Sequence, residues 1–268
     1  MSKTKIEWVK NPDGTRGGTW NPVTGCTPIS EGCRNCYAKR MARRLAGRHG
    51  YPPAPHHFDV TLRPERLEQP LERKKPTTYF VCSMADLFHK DVPFVFVLEV
   101  WRVMMEANHH TFLILTKHPQ RMFDFLRVAT DNLDTYPVIL PNVHLGVTAE
   151  NQKAADERIP ILLQIPAAVR FVSVEPMLGE IDLNRPYWIM SYGDEGPGEN
   201  DTFLRQLDWI IVGAETGPGA RPMHPDWARS VRDQCVTAGV PFFFKRDSDG
   251  SRLLDGQLWE QMPETGLD

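Results

Sequence analysis

Short apolar runs alternate along this chain with longer segments whose apolar residues recur at helical spacing. The runs are TTYFVC over Thr77–Cys82, TFLIL over Thr111–Leu115, VHLGV over Val143–Val147, VRFVSV over Val169–Val174, WIIV over Trp209–Val212 and VPFFF over Val240–Phe244. Each is rich in β-branched and aromatic residues and apolar at consecutive positions, as strands buried on both faces of a parallel sheet are. Between them the spacing predicts helices over Tyr37–Ala46, ending at Gly47, over Phe94–Ala107, over Gln152–Leu163 and over Asp226–Ala238, ending at Gly239. The glycines are of the kind that close helices in a left-handed turn. Trp101, Met104 and Met105 make a stripe on the second of these helices that reads as core.

Strand-then-helix repetition gives an α/β fold, a complete or partial (β/α) barrel of mostly parallel strands with a further strand expected ahead of Cys26. A doubly wound open sheet would give the same one-dimensional pattern. The chain reads as one domain over 1–268. Residues 1–50 hold a cysteine loop and a basic helix, 77–245 the remaining βα units, and 246–268 a small C-terminal hairpin tail. The hairpin is expected at LLDGQLW, where Asp-Gly stands between apolar residues. Asn184–Asp201, rich in Gly, Pro and acids, reads as an inserted surface loop or lid.

Composition adds limits. Over 268 residues the chain is 41% hydrophobic and 24% charged, with net charge −3. That is ordinary for a globular domain and argues against a protein that coats nucleic acid non-specifically. No apolar run is long enough to span a bilayer and the start lacks a signal-peptide core, so no membrane partner and a cytoplasmic location are expected. Five cysteines, three of them bunched, do not make a disulfide framework. Cys82 and Cys235 fall inside predicted elements and read as small core hydrophobes.

Chemistry is expected where parallel strands end, because the loops there converge on one mouth. The runs are followed in turn by Ser83 and Asp86, by Lys117 and His118, by Glu150, by Glu175, by Glu215 with Gly217, Gly219 and Arg221, and finally by Lys245. Three glutamates and two lysines around one rim would be costly to bury without a ligand to match them. The basic stretch Lys39–Arg48 reads first as a solvated helix face and second as a nucleic-acid footprint.

The remaining three cysteines, Cys26, Cys33 and Cys36, lie in TWNPVTGCTPISEGCRNCYAKR. Three thiolates suit a [4Fe-4S] cluster with one iron left open, and that iron can chelate the amine and carboxylate of S-adenosylmethionine (SAM). Ser83, Asp86, Glu150, Glu175 and Glu215 are then the candidates for SAM or substrate contacts, and Lys117 or Lys245 for a carboxylate or phosphate. Two other readings remain open. One is a structural zinc site with His56 or His57 as fourth ligand. The other is a magnesium- or manganese-dependent hydrolase or nuclease built on Asp86, Glu150, Glu175 and Glu215.

The segment TWNPVTGC-x6-C-x2-CYA, with SMADLF, LTKHPQRM, GVTAEN, SVEPMLG and GAETGPGARP, resembles a phage-associated family of three-Cys-motif proteins described as radical-SAM-like. The resemblance runs roughly from Lys5 to Lys245. It implies a radical-SAM-type barrel, a [4Fe-4S] cluster on Cys26, Cys33 and Cys36, and SAM as cofactor. Within it, Glu150, Glu175, Glu215 and Lys117 stand as catalytic candidates, and Ser83, Asp86, Glu150, Glu175 and Arg221 as cofactor contacts. Cleavage of SAM would give a 5′-deoxyadenosyl radical acting on a small-molecule or nucleic-acid substrate, with a reducing partner such as flavodoxin or ferredoxin. The usual radical-SAM spacing is C-x3-C-x2-C. Here the first gap is six residues, and Ser83-Met84-Ala85-Asp86 stands where a glycine-rich segment is usual.

Overall fold

The predicted strands pair in chain order. In the computed structural model, which describes residues 4–132, 139–186 and 202–264, β1 (Gly18–Trp20) is followed by a short antiparallel ladder of β2 (Val23–Thr24) and β3 (Thr61–Leu62). Then come β4 (Thr78–Val81), β5 (Thr111–Thr116), β6 (Val143–Thr148), β7 (Val169–Val174), β8 (Trp209–Gly213) and β9 (Phe242–Arg246). The sheet runs β1-β4-β5-β6-β7-β8-β9 with every pairing parallel. A doubly wound sheet reverses strand order at a switch point; this one never does. β1 and β9 stay unpaired with each other, so the architecture is a partial (β/α) barrel.

Helices α1 (Tyr37–Leu45), α2 (Phe94–Glu106), α3 (Pro119–Asn132), α4 (Gln152–Leu163) and α5 (Pro225–Ala238) connect the strands. The α3 helix was not among those assigned above, although Met122, Phe125, Leu126 and Ala129 recur at helical spacing and are buried. Alternation along the strands sorts the core into two layers. Tyr79, Val81, Phe112, Ile114, Leu145, Val172 and Ile210 pack outward with Val100 and Met104 of α2, Met122 of α3, Ile159 of α4 and Val231 of α5. Leu113, Phe171, Trp209, Ile211 and Phe243 fill the concave side.

That concave side is completed by the chain's own beginning. Trp8 is 2% exposed, with its ring 4.9 Å from Phe80, 6.0 Å from Trp209 and 6.1 Å from Phe171. Its flanks tie to both free edges of the sheet. The amide of Gly17 donates to Val9 O at 2.9 Å beside β1, while Glu7 pairs with Arg246 on β9. Residues 4–10 thus close the gap that the unpaired edges leave.

The C-terminal hairpin is present as β10 (Leu253–Leu254) and β11 (Gln257–Leu258). Asp255 and Gly256 both take positive φ, 55° and 76°, as a tight Asp-Gly turn requires. It sits beside β9, where Phe244 N donates to Trp259 O at 2.9 Å. The insertion expected over Asn184–Asp201 lies, from 187 to 201, outside the described residues. Cys82 and Cys235 are buried, and burial pushes the Cys235 thiol up to about 12, as expected of inert core cysteines.

Candidate functional site

At the strand ends the concave side turns from apolar to polar. Above Phe80 and Leu115 opens a cavity of about 700 Å³, lined by Lys117, Thr148, Ser173, Glu175, Glu215 and Lys245 from the ends of β5 to β9. The volume is within the ordinary range for a small-molecule site. Cys26, Cys33 and Cys36 line the same cavity, all three free and partly exposed. Among the sequence-derived site residues, Ser83, Asp86, Lys117, Glu175 and Glu215 reach this cavity with them.

The cysteine loop is built to a position. Gly25 N donates to Met84 O at 2.9 Å and Cys26 N to Phe58 O at 3.1 Å, so the first thiol is set by backbone on both sides. Thr27 Oγ1 and the buried His89 Nε2 share a hydrogen bond of 2.6 Å. Cys36 stands at the N-cap of α1, whose backbone fixes the third thiol at the start of the helix.

Two buried acids anchor the rest of that loop. Glu150 is 1% exposed and does not line the cavity. It accepts from Arg158 at 2.8 Å and from the Ser30 hydroxyl, with Lys117 Nζ 3.7 Å away. Burial opposes its ionisation, yet Lys117, Arg158 and Ser30 together hold it below the usual carboxylate range. Gly32 rests directly against it: a Cβ there would stand 2.6 Å from the carboxylate. Glu215 is the second anchor. Its carboxylate receives Arg221 at 2.6 Å and Asn35 at 2.8 Å, while Arg221 also donates to Glu31 O at 2.9 Å. The Arg221 hydrogen bonds bring the Glu215 pKa down to about 2. The glycines of GAETGPGARP serve this junction. Gly217 takes φ 94° and lets the Arg40 guanidinium pack against its backbone, where Arg40 donates to Thr216 O at 2.9 Å. Residue types at strand ends were readable in the sequence, but this lashing of one loop to two distant strands was not.

The other carboxylates are engaged as well. Asp86 accepts from Thr116 Oγ1 at 2.7 Å, Lys117 N at 2.9 Å and Phe88 N at 3.0 Å. Glu175 pairs with Lys245. Ser83 Oγ donates to Asn21 Oδ1 at 3.2 Å. A hard-cation site needs several carboxylate oxygens free, and each of these four acids already holds a cation or an N–H.

The thiols themselves differ. Burial, the Asp86 charge and the other two sulfurs push Cys26 up to about 12. Cys33 is held below the usual thiol value: burial opposes this, but the backbone at Ile29 and Ser30, Lys117 and the Ser30 hydroxyl outweigh it. Among the described residues no three His, Cys, Asp or Glu side chains are gathered tightly enough around one point to hold a single ion. A four-iron cube is wider than one ion and takes its thiolates farther apart, so three free sulfurs around an open cavity fit it in donor chemistry. Neither His56, which faces Asp59 at 2.7 Å, nor His57 lines the cavity as a fourth ligand.

A family model described as "Protein of unknown function (DUF5131)" matches residues 3–263. No curated protein matches the chain. Among solved structures it is similar to a cysteine-to-serine mutant of spore photoproduct lyase, at 11% identity and a TM-score of 0.43, over 80% of this chain and 58% of that one. It is likewise similar to spore photoproduct lyase complexed with dinucleoside spore photoproduct, at 10% identity and a TM-score of 0.44, over 87% and 62%. The chain therefore spans about three fifths of the length of the structures it matches. The phage setting implied by the three-cysteine resemblance rests on sequence motifs alone. No helix among the described residues is long and apolar enough to cross a membrane.

Proposed function

The chain belongs to the DUF5131 family, and from the geometry of its thiol-lined mouth we propose that it is a radical-SAM-type enzyme. One observation carries this reading: Cys26, Cys33 and Cys36 line a single cavity at the strand ends of a partial barrel, and neither His56 nor His57 lines it with them. A [4Fe-4S] cluster held there would supply one electron to the sulfonium of SAM, breaking a C–S bond to leave methionine and a 5′-deoxyadenosyl radical.

The protein's own residues do the rest. Cys26, Cys33 and Cys36 hold the cluster, and the buried anchors Glu150 and Glu215 hold their loop. Lys117, reaching from β5 toward Glu150, and Ser30 favour the ionised form of Cys33. Ser83 and Asp86 line the cavity with Cys26 and would contact SAM there. The Glu175 and Lys245 pair faces the cavity from the opposite strands, and Lys245 is the cation placed to meet a carboxylate or phosphate on SAM or substrate. Trp8 and Phe80, packed edge to face, line the cavity's apolar floor. The reducing partner would be a flavodoxin or ferredoxin.

The test is anaerobic reconstitution with iron and sulfide, then SAM and dithionite, with 5′-deoxyadenosine measured by chromatography. Slow release of the nucleoside, lost in Cys33→Ala, is the expected result. Zinc without iron, or no nucleoside from a fully loaded cluster, would overturn the reading.

A further inference from the structure

The exposed face of α1 carries cations that nothing else in the described chain answers. Arg34, just ahead of the helix, and Lys39, Arg43, Arg44 and Arg48 are exposed, and their side chains make no hydrogen bond or ion pair with any described residue. Stability accounts for only part of this face: Arg43 and Arg44 stand in the last turn, where cations suit the helix dipole. Lys39 with Arg43, and Arg40 with Arg44, are like charges one turn apart, which destabilise a helix. No acid stands in the first turn to offset them, and the N-cap Cys36 makes no side-chain capping bond.

The same helix carries an aromatic at the cavity rim. Tyr37 is 58% exposed and lines the mouth. One turn on, Arg40 lines it too; one of its terminal nitrogens bonds Thr216 O while the other is buried without a partner. A free ring at the opening, followed by cations leading away across the surface, is the pattern of a single-strand site: bases stack on the ring and phosphates meet the cations. With a net charge of −3, the chain needs a local basic face to hold a polyanion. A duplex offers no unstacked base to a lone ring, whereas a single strand does.

We infer that the Tyr37–Arg48 face docks a single-stranded nucleic acid, stacking one base on Tyr37 and seating its phosphates on Lys39, Arg43 and Arg44. The docked strand presents the adjoining nucleotide to the cavity. That the strand is the substrate rests on the radical-SAM reading above; the docking itself does not.

The experiment uses the full chain, anaerobically purified, titrated into short fluorescein-labelled single strands of RNA and of DNA of mixed sequence and followed by anisotropy. Binding should weaken with salt at a log–log slope of about −2 to −3, since each phosphate contact on a single strand contributes about −0.7. Arg43→Glu with Arg44→Glu should weaken binding at least about tenfold, and Tyr37→Ala roughly tenfold, with circular dichroism confirming that both variants fold. Duplexes of the same sequences should bind more weakly. No binding to either strand, charge-reversed protein binding as wild type, or preference for duplex would each overturn the inference. Binding is scored with and without the reconstituted cluster. Strand binding by a chain that never takes iron removes the radical reading alone; a loaded cluster with no strand binding removes this inference alone.

Discussion

Glu175 at the end of β7 and Lys245 on β9 form an ion pair that passes over the strand between them, because residue 213 on β8 is glycine. A Cβ at Gly213 would stand 3.2 Å from Lys245 Cβ and 3.6 Å from the Glu175 carboxyl carbon. The side chains are 21% and 15% exposed, so each would be poorly solvated alone. Glu175→Gln and Lys245→Met should each cost roughly 1–2 kcal/mol in urea unfolding, and the double variant little more than either single. Strictly additive losses would show that the pair is not coupled.

Gly32 matters for a different reason. Its missing side chain leaves room for the buried Glu150 carboxylate beside the Cys33 loop. Gly32→Val should push that loop off Glu150 and lower bound iron after reconstitution severalfold, while far-ultraviolet circular dichroism stays native. Full iron loading in the variant would mean that Glu150 does not set the loop.

A pH effect is built in beneath the cavity. His144 on β6 is 3% exposed, and neither ring nitrogen has a hydrogen-bond partner among the described residues. Burial brings its pKa from 6.5 down to about 4. Between these values the unfolded chain binds a proton that the folded chain refuses. The stability His144 gives is therefore complete above about pH 6.5 and is lost as pH falls toward 4, roughly 3 kcal/mol in all. His144→Leu should flatten that part of the stability profile in chemical denaturation. An unchanged slope would place the acid sensitivity elsewhere.

The sheet was legible because strands buried on both faces leave continuous apolar runs, and the runs over 77–82, 111–115 and 169–174 overlay β4, β5 and β7. Strand order was not legible: barrel and doubly wound sheet share one pattern, and only pairing separates them. The three-residue β1 was foreseen only as a strand somewhere ahead of Cys26, since GTW is too short to show a period. Trp8 sits in a polar-looking start, MSKTKIEWVK, and its burial depends on Phe171 and Trp209, far along the chain. Glu150 shows the same limit at the site. Its place after a strand marked it as a rim acid, but a partner eight residues on, Arg158, and Ser30 from the cysteine loop turn it into a buried anchor.

The central claim is that three protein thiolates hold a cluster whose remaining iron is open to SAM. Mössbauer spectroscopy of the chain reconstituted with ⁵⁷Fe, recorded before and after SAM is added, tests it most directly. Roughly a quarter of the iron signal should shift on addition of SAM, the rest staying as it was. Iron that ignores SAM altogether, or a preparation that takes up zinc and no iron, would contradict the account.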